Sequence, residues 1–130
     1  PCLYSSRESP DGRYYADATA GTYNVIIYDI ISTQALKTLK GHSRLISSIC
    51  WSPDGKYLVS GSQDETIKIW DAKSGICLQT FKGHNAYVEF VCFTSDGRKI
   101  ISKDFDDIIL QWDFPPLDEL IEKTKKWAGK

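Results

Sequence analysis

Three residue types that act together in nucleophilic catalysis occur twice in the 130-residue chain. Each set holds one histidine, one serine and one aspartate: His42, Ser60 and Asp64, then His84, Ser102 and Asp106. In a catalytic triad the serine hydroxyl attacks an acyl carbon, the histidine takes its proton, and the aspartate orients the histidine. Hydrolysis of an ester or an amide is therefore the reaction that these residue types could carry out.

The repetition of these residues argues against a catalytic role. Each member of the first set recurs 42 residues later, and so does a tryptophan, as Trp70 and Trp112. An active site needs only one triad, whereas a structural motif recurs with each repeat of a fold. We therefore predict no catalytic site.

The recurring residues lie within a longer repeat. Residues 41–71 begin with Gly-His and end with Trp-Asp, and residues 83–113 do the same at the same offset. A period of about 40–45 residues with these ends is typical of a propeller blade. The chain resembles the WD-repeat family of β-propellers. The resemblance implies an all-β fold of three four-stranded antiparallel blades, the last of them incomplete, that belongs to a larger propeller.

The resemblance also gives the recurring residues a role. In this family the matching residues form a polar relay that runs from tryptophan through serine and histidine to aspartate. Indole only donates hydrogen bonds, hydroxyl and imidazole groups can donate and accept, and carboxylate only accepts, so four buried groups can satisfy one another. The predicted relay residues are His42, Ser60, Asp64, Trp70, His84, Ser102, Asp106 and Trp112.

The repeat divides the chain into four predicted segments. Residues 1–40 form a degenerate blade, since Ser9-Pro10-Asp11-Gly12 and Tyr28-Asp29 keep repeat positions while the histidine, aspartate and tryptophan of the relay have no counterparts. Residues 41–82 form a complete blade. Residues 83–114 form a blade without its outer strand, because the prolines at 115 and 116 cannot donate to a strand ladder. Residues 115–130 carry apolar residues at helical spacing and are predicted to form a short C-terminal amphipathic helix, docked on the propeller rim or on a partner or membrane.

Three blades are fewer than the four to eight that close a propeller. Three explanations are open: the chain is the C-terminal part of a longer propeller, it assembles with copies of itself, or it is only partially folded. In each case the last strand, predicted over residues 107–113, has an open edge that recruits another strand unless the 117–127 helix covers it. We therefore expect the rest of the propeller or another chain to complete the last blade.

Composition narrows the function classes further. The net charge is −1 and no basic block dominates, which argues against a nucleic-acid partner. No apolar run reaches the roughly 18 residues that a membrane helix needs. The four cysteines lack paired spacing, and the relay accounts for both histidines, so we predict no metal and no cofactor. Reduced thiols fit a cytoplasmic location.

The resemblance implies that the chain is a rigid scaffold for protein–protein interaction without chemistry of its own. The alternative is a sensor or regulatory propeller at the C-terminal end of a larger signalling protein, such as an NTPase. The predicted contact face holds the loops before the first strand of a blade and between its second and third strands. Arginine and aromatic side chains often dominate the energetics of an interface. The candidate residues for binding proteins or peptides are Arg44, Leu45, Gln63, Asn85, Tyr87 and Phe105.

Overall fold

The computed structural model describes residues 3–4, 7–18 and 23–113, and the helix predicted over 115–130 lies outside them. The described residues form β-strands joined by turns, and they contain no helix that is long and apolar enough to cross a membrane. The strands are β1 (Leu3–Tyr4), β2 (Tyr14–Ala18), β3 (Val25–Asp29), β4 (Ala35–Leu39), β5 (Ile46–Trp51), β6 (Tyr57–Ser62), β7 (Thr66–Asp71), β8 (Cys77–Lys82), β9 (Val88–Thr94), β10 (Lys99–Asp104) and β11 (Ile109–Asp113).

The strands pair in three antiparallel sheets, which confirms the all-β prediction. The first sheet has the order β2-β3-β4, the second β5-β6-β7-β8, and the third β1-β9-β10-β11. Consecutive strands in the chain are neighbours in each sheet, apart from β1. Each sheet thus has the up-and-down order of a propeller blade.

The first sheet differs from the predicted four-stranded blade. Residues 7–9 form only an isolated bridge, Glu8 with Tyr15, although the amide of Ala16 still donates to the carbonyl of Arg7 across 2.8 Å. Arg7 and Glu8 are exposed and polar, whereas the corresponding strand β5 is rich in buried apolar residues. With little apolar surface to bury, this segment forms a minimal ladder.

The third sheet has its additional strand on an unexpected edge. We predicted that a strand from elsewhere would lie against the last strand, β11. Within the described residues β11 pairs only with β10, and β1 joins the opposite edge of the sheet, where Leu3 is opposite Thr94 on β9. No strand lies beyond β11 in the described part of the chain, and the incomplete last blade stays a prediction because the residues after 113 lie outside that part.

One turn motif recurs between the first two strand positions of every sheet. In Ser52-Pro53-Asp54-Gly55 the serine hydroxyl donates to the aspartate carboxylate (2.6 Å), which also accepts the amide of Lys56 (3.0 Å). The same pair of bonds forms at Asp11 in the first sheet and at Asp96 in the third. The glycine that follows each aspartate has a positive φ, which glycine adopts without strain.

The second sheet lies between the other two and shares a core with each. All six residues of β6 are buried. Its two faces contribute to separate clusters, one with the third sheet around Val59, Ile69 and Phe93, and one with the first sheet around Leu58 and Trp70. Apolar residues on both faces are what a blade packed between two neighbours requires.

Gly61 permits the close approach of the second and third sheets. A Cβ atom at this position would lie 2.6 Å from Val88 Cγ1 and 2.8 Å from Val91 Cγ1. At the glycines of the two Gly-His pairs, the relay tryptophans leave little room for a side chain. A Cβ at Gly83, for example, would lie 2.8 Å from the Trp112 ring. The absence of a side chain at these positions is therefore a packing requirement.

Candidate functional site

The four predicted relay residues of the second sheet come together in one continuous chain of hydrogen bonds. The indole N–H of Trp70, on β7, donates to Ser60 Oγ on β6 across 2.9 Å. Ser60 Oγ lies 2.7 Å from His42 Nε2, and His42 Nδ1 lies 2.9 Å from Asp64 Oδ2. Because the indole can only donate, the hydroxyl donates onward to Nε2 and the histidine donates from Nδ1 to the carboxylate.

These distances match those of a Ser-His-Asp triad, but the serine is inaccessible. Ser60 is 1% exposed and its oxygen already accepts the indole proton of Trp70. The His42 side chain is fully buried. A nucleophile needs space for an acyl carbon beside its oxygen, and this oxygen is enclosed by the core. The arrangement satisfies buried polar groups and offers no place for a substrate.

The third sheet repeats the relay with a different carboxylate. Trp112 donates to Ser102 Oγ across 2.8 Å, and Ser102 Oγ lies 2.6 Å from His84 Nε2. His84 Nδ1 then lies 2.7 Å from Asp104 Oδ2. Asp106, the predicted member, is exposed, and only its backbone amide joins the network, by donating to Asp104 Oδ1 across 2.8 Å. The assignment of Asp106 was therefore wrong.

The pairing of the strands explains how Asp104 takes this place. Asp104 is opposite Val88 just as Ser62 is opposite Ile46, so by register Asp104 corresponds to Ser62. Both turns that follow have the same backbone shape, with a positive φ at Glu65 and at its counterpart Asp107. A carboxylate can therefore reach the histidine either from the strand end or from a position two residues further into the turn. An aspartate at the position of Ser62 was the signal in the sequence.

The relay perturbs the titration of its own members. Burial lowers the pKa of His42, and the neighbouring Asp64 offsets this effect only in part. For Asp64, burial favours the neutral acid, but hydrogen bonds from Thr66, the amide of Ser43 and His42 outweigh it and lower the pKa to about 2. For Asp104, burial acts in the same direction and is outweighed by His84 and two backbone amides, which lower its pKa. Neutral histidine beside ionised carboxylate is thus the favoured state in the second sheet.

Three of the predicted binding residues form one exposed group beside the relays. Arg44 Nη1 donates to the Tyr87 hydroxyl across 3.0 Å, and the guanidinium carbon lies 5.8 Å from the centre of the Tyr87 ring. The rings of Tyr87 and Phe105 meet edge to face, with centroids 6.3 Å apart. Tyr87 is 40% exposed and Phe105 is 58% exposed. We call this group the Arg44–Tyr87–Phe105 surface.

The other three predicted binding residues lie in the same loops without joining the group. The amide of Gln63 donates to the carbonyl of Leu45 across 2.9 Å, which fixes the two loops to each other. Leu45 and Asn85 are exposed. Their side chains and that of Gln63 make no hydrogen bond or ring contact with another described residue.

Two serines that sequence reasoning missed connect the second and third sheets. Ser47 Oγ donates to the carbonyl of Val88, and Ser48 Oγ accepts the amide of Val91 across 3.1 Å. Hydroxyl groups within the otherwise apolar strand β5 were the signal for these contacts. The described residues contain no group of histidine, cysteine and acidic side chains that could hold a metal ion.

Comparison with known proteins identifies the repeat. The family described as "WD domain, G-beta repeat" matches residues 33–71 and 75–113. The chain is 40% identical over 65 residues to the target of rapamycin complex subunit wat1 of Schizosaccharomyces pombe, covering 48% of this chain and 20% of that protein. It is 44% identical over 68 residues to WD repeat-containing protein 1 of Mus musculus, covering 50% of this chain and 11% of that protein.

A third relative, Jouberin of Rattus norvegicus, is 39% identical over 64 residues, which are 48% of this chain and 6% of that protein. In all three relatives the match spans a fifth of the length or less. The two matched repeats contain both relays and the whole Arg44–Tyr87–Phe105 surface. The chain therefore belongs to the WD domain, G-beta repeat family.

Proposed function

We propose that the chain acts as a rigid scaffold for protein–protein interaction, and that the Arg44–Tyr87–Phe105 surface contacts the partner. WD repeats are typically non-catalytic modules that bind other proteins. The observation that carries the proposal is the exposed group in which Arg44 lies over the Tyr87 ring and Tyr87 meets Phe105 edge to face. Arginine and aromatic residues are enriched among the positions that contribute most binding energy at interfaces.

The contacts within the surface favour binding because they order it in advance. The hydrogen bond from Arg44 to the Tyr87 hydroxyl and the edge-to-face contact with Phe105 restrict all three side chains. Immobilising one rotamer-rich side chain on binding costs about 0.5–1.5 kcal/mol. A surface that is already ordered loses less of this free energy when a partner binds.

The two sheets beneath the surface give it rigidity. Arg44 precedes β5 of the second sheet, whereas Tyr87 and Phe105 belong to loops of the third sheet. These sheets share a buried core and are joined by the hydrogen bonds of Ser47 and Ser48. The surface therefore depends on the packing of two adjacent blades, and a single blade would not form it.

The charges around the surface favour a protein or peptide over nucleic acid. Asp106 and Asp107 are exposed in the same turn as Phe105. Lys103, which lies two residues before Phe105, is engaged by Glu89 at 2.8 Å and by Asp107 at 3.0 Å. Phosphate backbones are bound by clustered cationic groups, and this turn presents acids instead. The free thiols of Cys77 and Cys92 support a cytoplasmic location as part of the proposal.

Cross-linking and titration test the proposal with the complete protein as its gene encodes it. A photo-cross-linker placed at Asn85 is expected to capture a partner, which is then titrated against purified variants. Arg44→Ala and Phe105→Ser are each expected to weaken binding by about tenfold or more, since the lost contacts are worth over 1 kcal/mol. Ile76→Ser is the control, because Ile76 is equally exposed but precedes β8, at the opposite end of the sheet. Equal affinities in all three variants would contradict the proposal.

A further inference from the structure

A groove of about 530 Å³ opens between the first and second sheets. Tyr14, Ile27 and Trp51 line its base, where Ile27 and Trp51 are almost completely buried, so the accessible apolar surface comes from the half-buried Tyr14 and from the exposed Leu36 at one side. The turns β5–β6 and β7–β8 contribute to it, and in an antiparallel sheet these lie at the end opposite to the Arg44–Tyr87–Phe105 surface. The groove is therefore a separate site.

The base of the groove offers the ring of Tyr14, with the buried indole of Trp51 packed against it. The rings of Tyr14 and Trp51 are stacked, with centroids 6.2 Å apart and an angle of 19° between their planes. The indole N–H of Trp51 is already used, since it donates to the carbonyl of Arg7 across 2.7 Å. A ligand group that reaches the base is thus selected for apolar contact.

The rim is basic. Lys37, Lys56 and Lys73 line the groove from three different segments, and all three are exposed. None of these lysines forms an ion pair with another residue in the described part of the chain. Asp71 is the one acid among the described lining residues, and its Oδ2 atom accepts the Ser74 hydroxyl across 2.6 Å. The rim therefore carries an excess of uncompensated positive charge.

The basic rim is particular to this pair of sheets and is not a product of the repeat. Lys37 is opposite Ile27 as Gln79 is opposite Ile69, so the corresponding position in the second sheet is neutral. In the sequence, the position that corresponds to Lys73 is occupied by Pro115. Only Lys56 has a basic counterpart, Arg98, so the combination of three lysines occurs at one junction between blades.

We propose that this groove binds a short acidic segment of a partner protein that inserts one large apolar side chain. The apolar side chain would contact the ring of Tyr14 and the side chain of Leu36, and flanking carboxylates would reach Lys56 and Lys73. Pockets that bind ligands combine an apolar lining with a few polar groups that set specificity, and their volumes are about 300–1,000 Å³. Complementary charge at the rim adds specificity and accelerates association.

A fluorescence anisotropy titration with the complete protein tests the inference. The probe is a labelled synthetic peptide of aspartate and glutamate residues around one central phenylalanine. Lys56→Glu and Lys73→Glu are each expected to weaken binding at least about tenfold, and Leu36→Ser severalfold. Lys82→Glu is the matched control, because this exposed lysine ends β8 at the far side of the sheet. Arg44→Ala should leave this titration unchanged, which separates it from the proposed function.

Three outcomes would overturn the inference. The first is no saturable binding of the peptide. The second is equal loss of affinity in Lys82→Glu and in the groove variants, or equal affinity for a peptide with alanine in place of phenylalanine, since either result would mean diffuse electrostatic attraction. The third is self-association, measured by sedimentation, that Lys56→Glu abolishes, because the occupant would then be a second copy of the chain.

Discussion

His84 donates from Nδ1 to Asp104 across 2.7 Å, and both side chains are almost completely buried. The second carboxylate oxygen of Asp104 accepts the amides of Asp106 and Ile108, so this one side chain closes the turn between β10 and β11 and also ends the relay. In the second sheet these tasks are divided, since Ser62 accepts the amide of Asp64 and Asp64 binds the histidine. Asp104 thus combines the roles of two residues.

The first prediction follows from this double role. Asp104→Ala is expected to lower the melting temperature by at least about 4 °C, because it leaves His84 and two amides without partners. Asp106→Ala should change it by less, since the Asp106 side chain is exposed. For comparison, Asp64→Ala should cost about 1–3 kcal/mol in the second sheet. Thermal unfolding of the three variants is the measurement, and a larger loss at Asp106 than at Asp104 would refute the assignment.

The resemblance to the WD-repeat family, carried from one repeat to the next by the 42-residue period, placed seven of the eight predicted relay residues. The eighth was misplaced because the period carries each residue to the same position, whereas the histidine needs only a carboxylate within reach. A strand end and a turn two residues later both provide one, and only the fold distinguishes them. The 42-residue period also could not predict the single bridge at Glu8 or the β1–β9 pairing. Both depend on contacts that a comparison of repeat positions does not describe.

Part of the Arg44–Tyr87–Phe105 surface could be predicted as well. The loop positions of Arg44, Tyr87 and Phe105 were read from the repeat, but their mutual contacts were not. Those contacts join two consecutive repeats, and a repeat pattern describes each unit separately. The groove above Trp51 was missed for the same reason, since its lysines come from three segments with no common sequence motif.

The second prediction concerns pH. His42 has a lowered pKa in the folded protein, so between that value and 6.5 the unfolded chain binds more protons. The stability from neutral His42 is therefore present above about pH 6.5 and declines as the pH falls. Asp64, with a folded pKa of about 2, adds a second decline between about pH 4 and pH 2. Urea midpoints across this range are the measurement.

The control for the pH dependence is His42→Gln. This variant removes the histidine titration, so the midpoint should decline less between about pH 7 and pH 5 than in the parent protein. A slope unchanged by the substitution, or stability that increases on acidification through pH 6.5, would be inconsistent with a buried neutral histidine.

The third prediction tests the packing between the second and third sheets. Gly61→Ala is expected to lower the free energy of unfolding by about 1–3 kcal/mol, because its Cβ would overlap Val88 and Val91. Val88→Ala is also destabilising, but in the double variant the smaller side chain leaves space for the new methyl group. The two losses should therefore be less than additive in urea unfolding. Full additivity would show that the two positions do not touch.

The fourth prediction concerns backbone strain in the first sheet. Thr33 has a φ of 60°, and its counterpart after β7, Gly75, has a φ of 79°. Both amides bond the aspartate carbonyl four residues earlier, so the turns are equivalent. A β-branched residue in this region is strained by about 1–2 kcal/mol. Thr33→Gly should therefore raise the free energy of unfolding by about 0.5–1 kcal/mol, after the entropy cost of glycine. Ser32→Gly is the control, and equal or greater stabilisation there would contradict the interpretation.

The central claim is that the buried relays hold the fold while the Arg44–Tyr87–Phe105 surface beside them binds the partner. The most direct test is to measure both the melting temperature and the affinity for the cross-linked partner in Phe105→Ser and in Ser102→Ala. Phe105→Ser should lose about tenfold or more in affinity with an unchanged melting temperature. Ser102→Ala should melt at lower temperature, because it leaves His84 and Trp112 without a shared partner. A Ser102→Ala protein that keeps its melting temperature but loses a hydrolytic activity would contradict the claim.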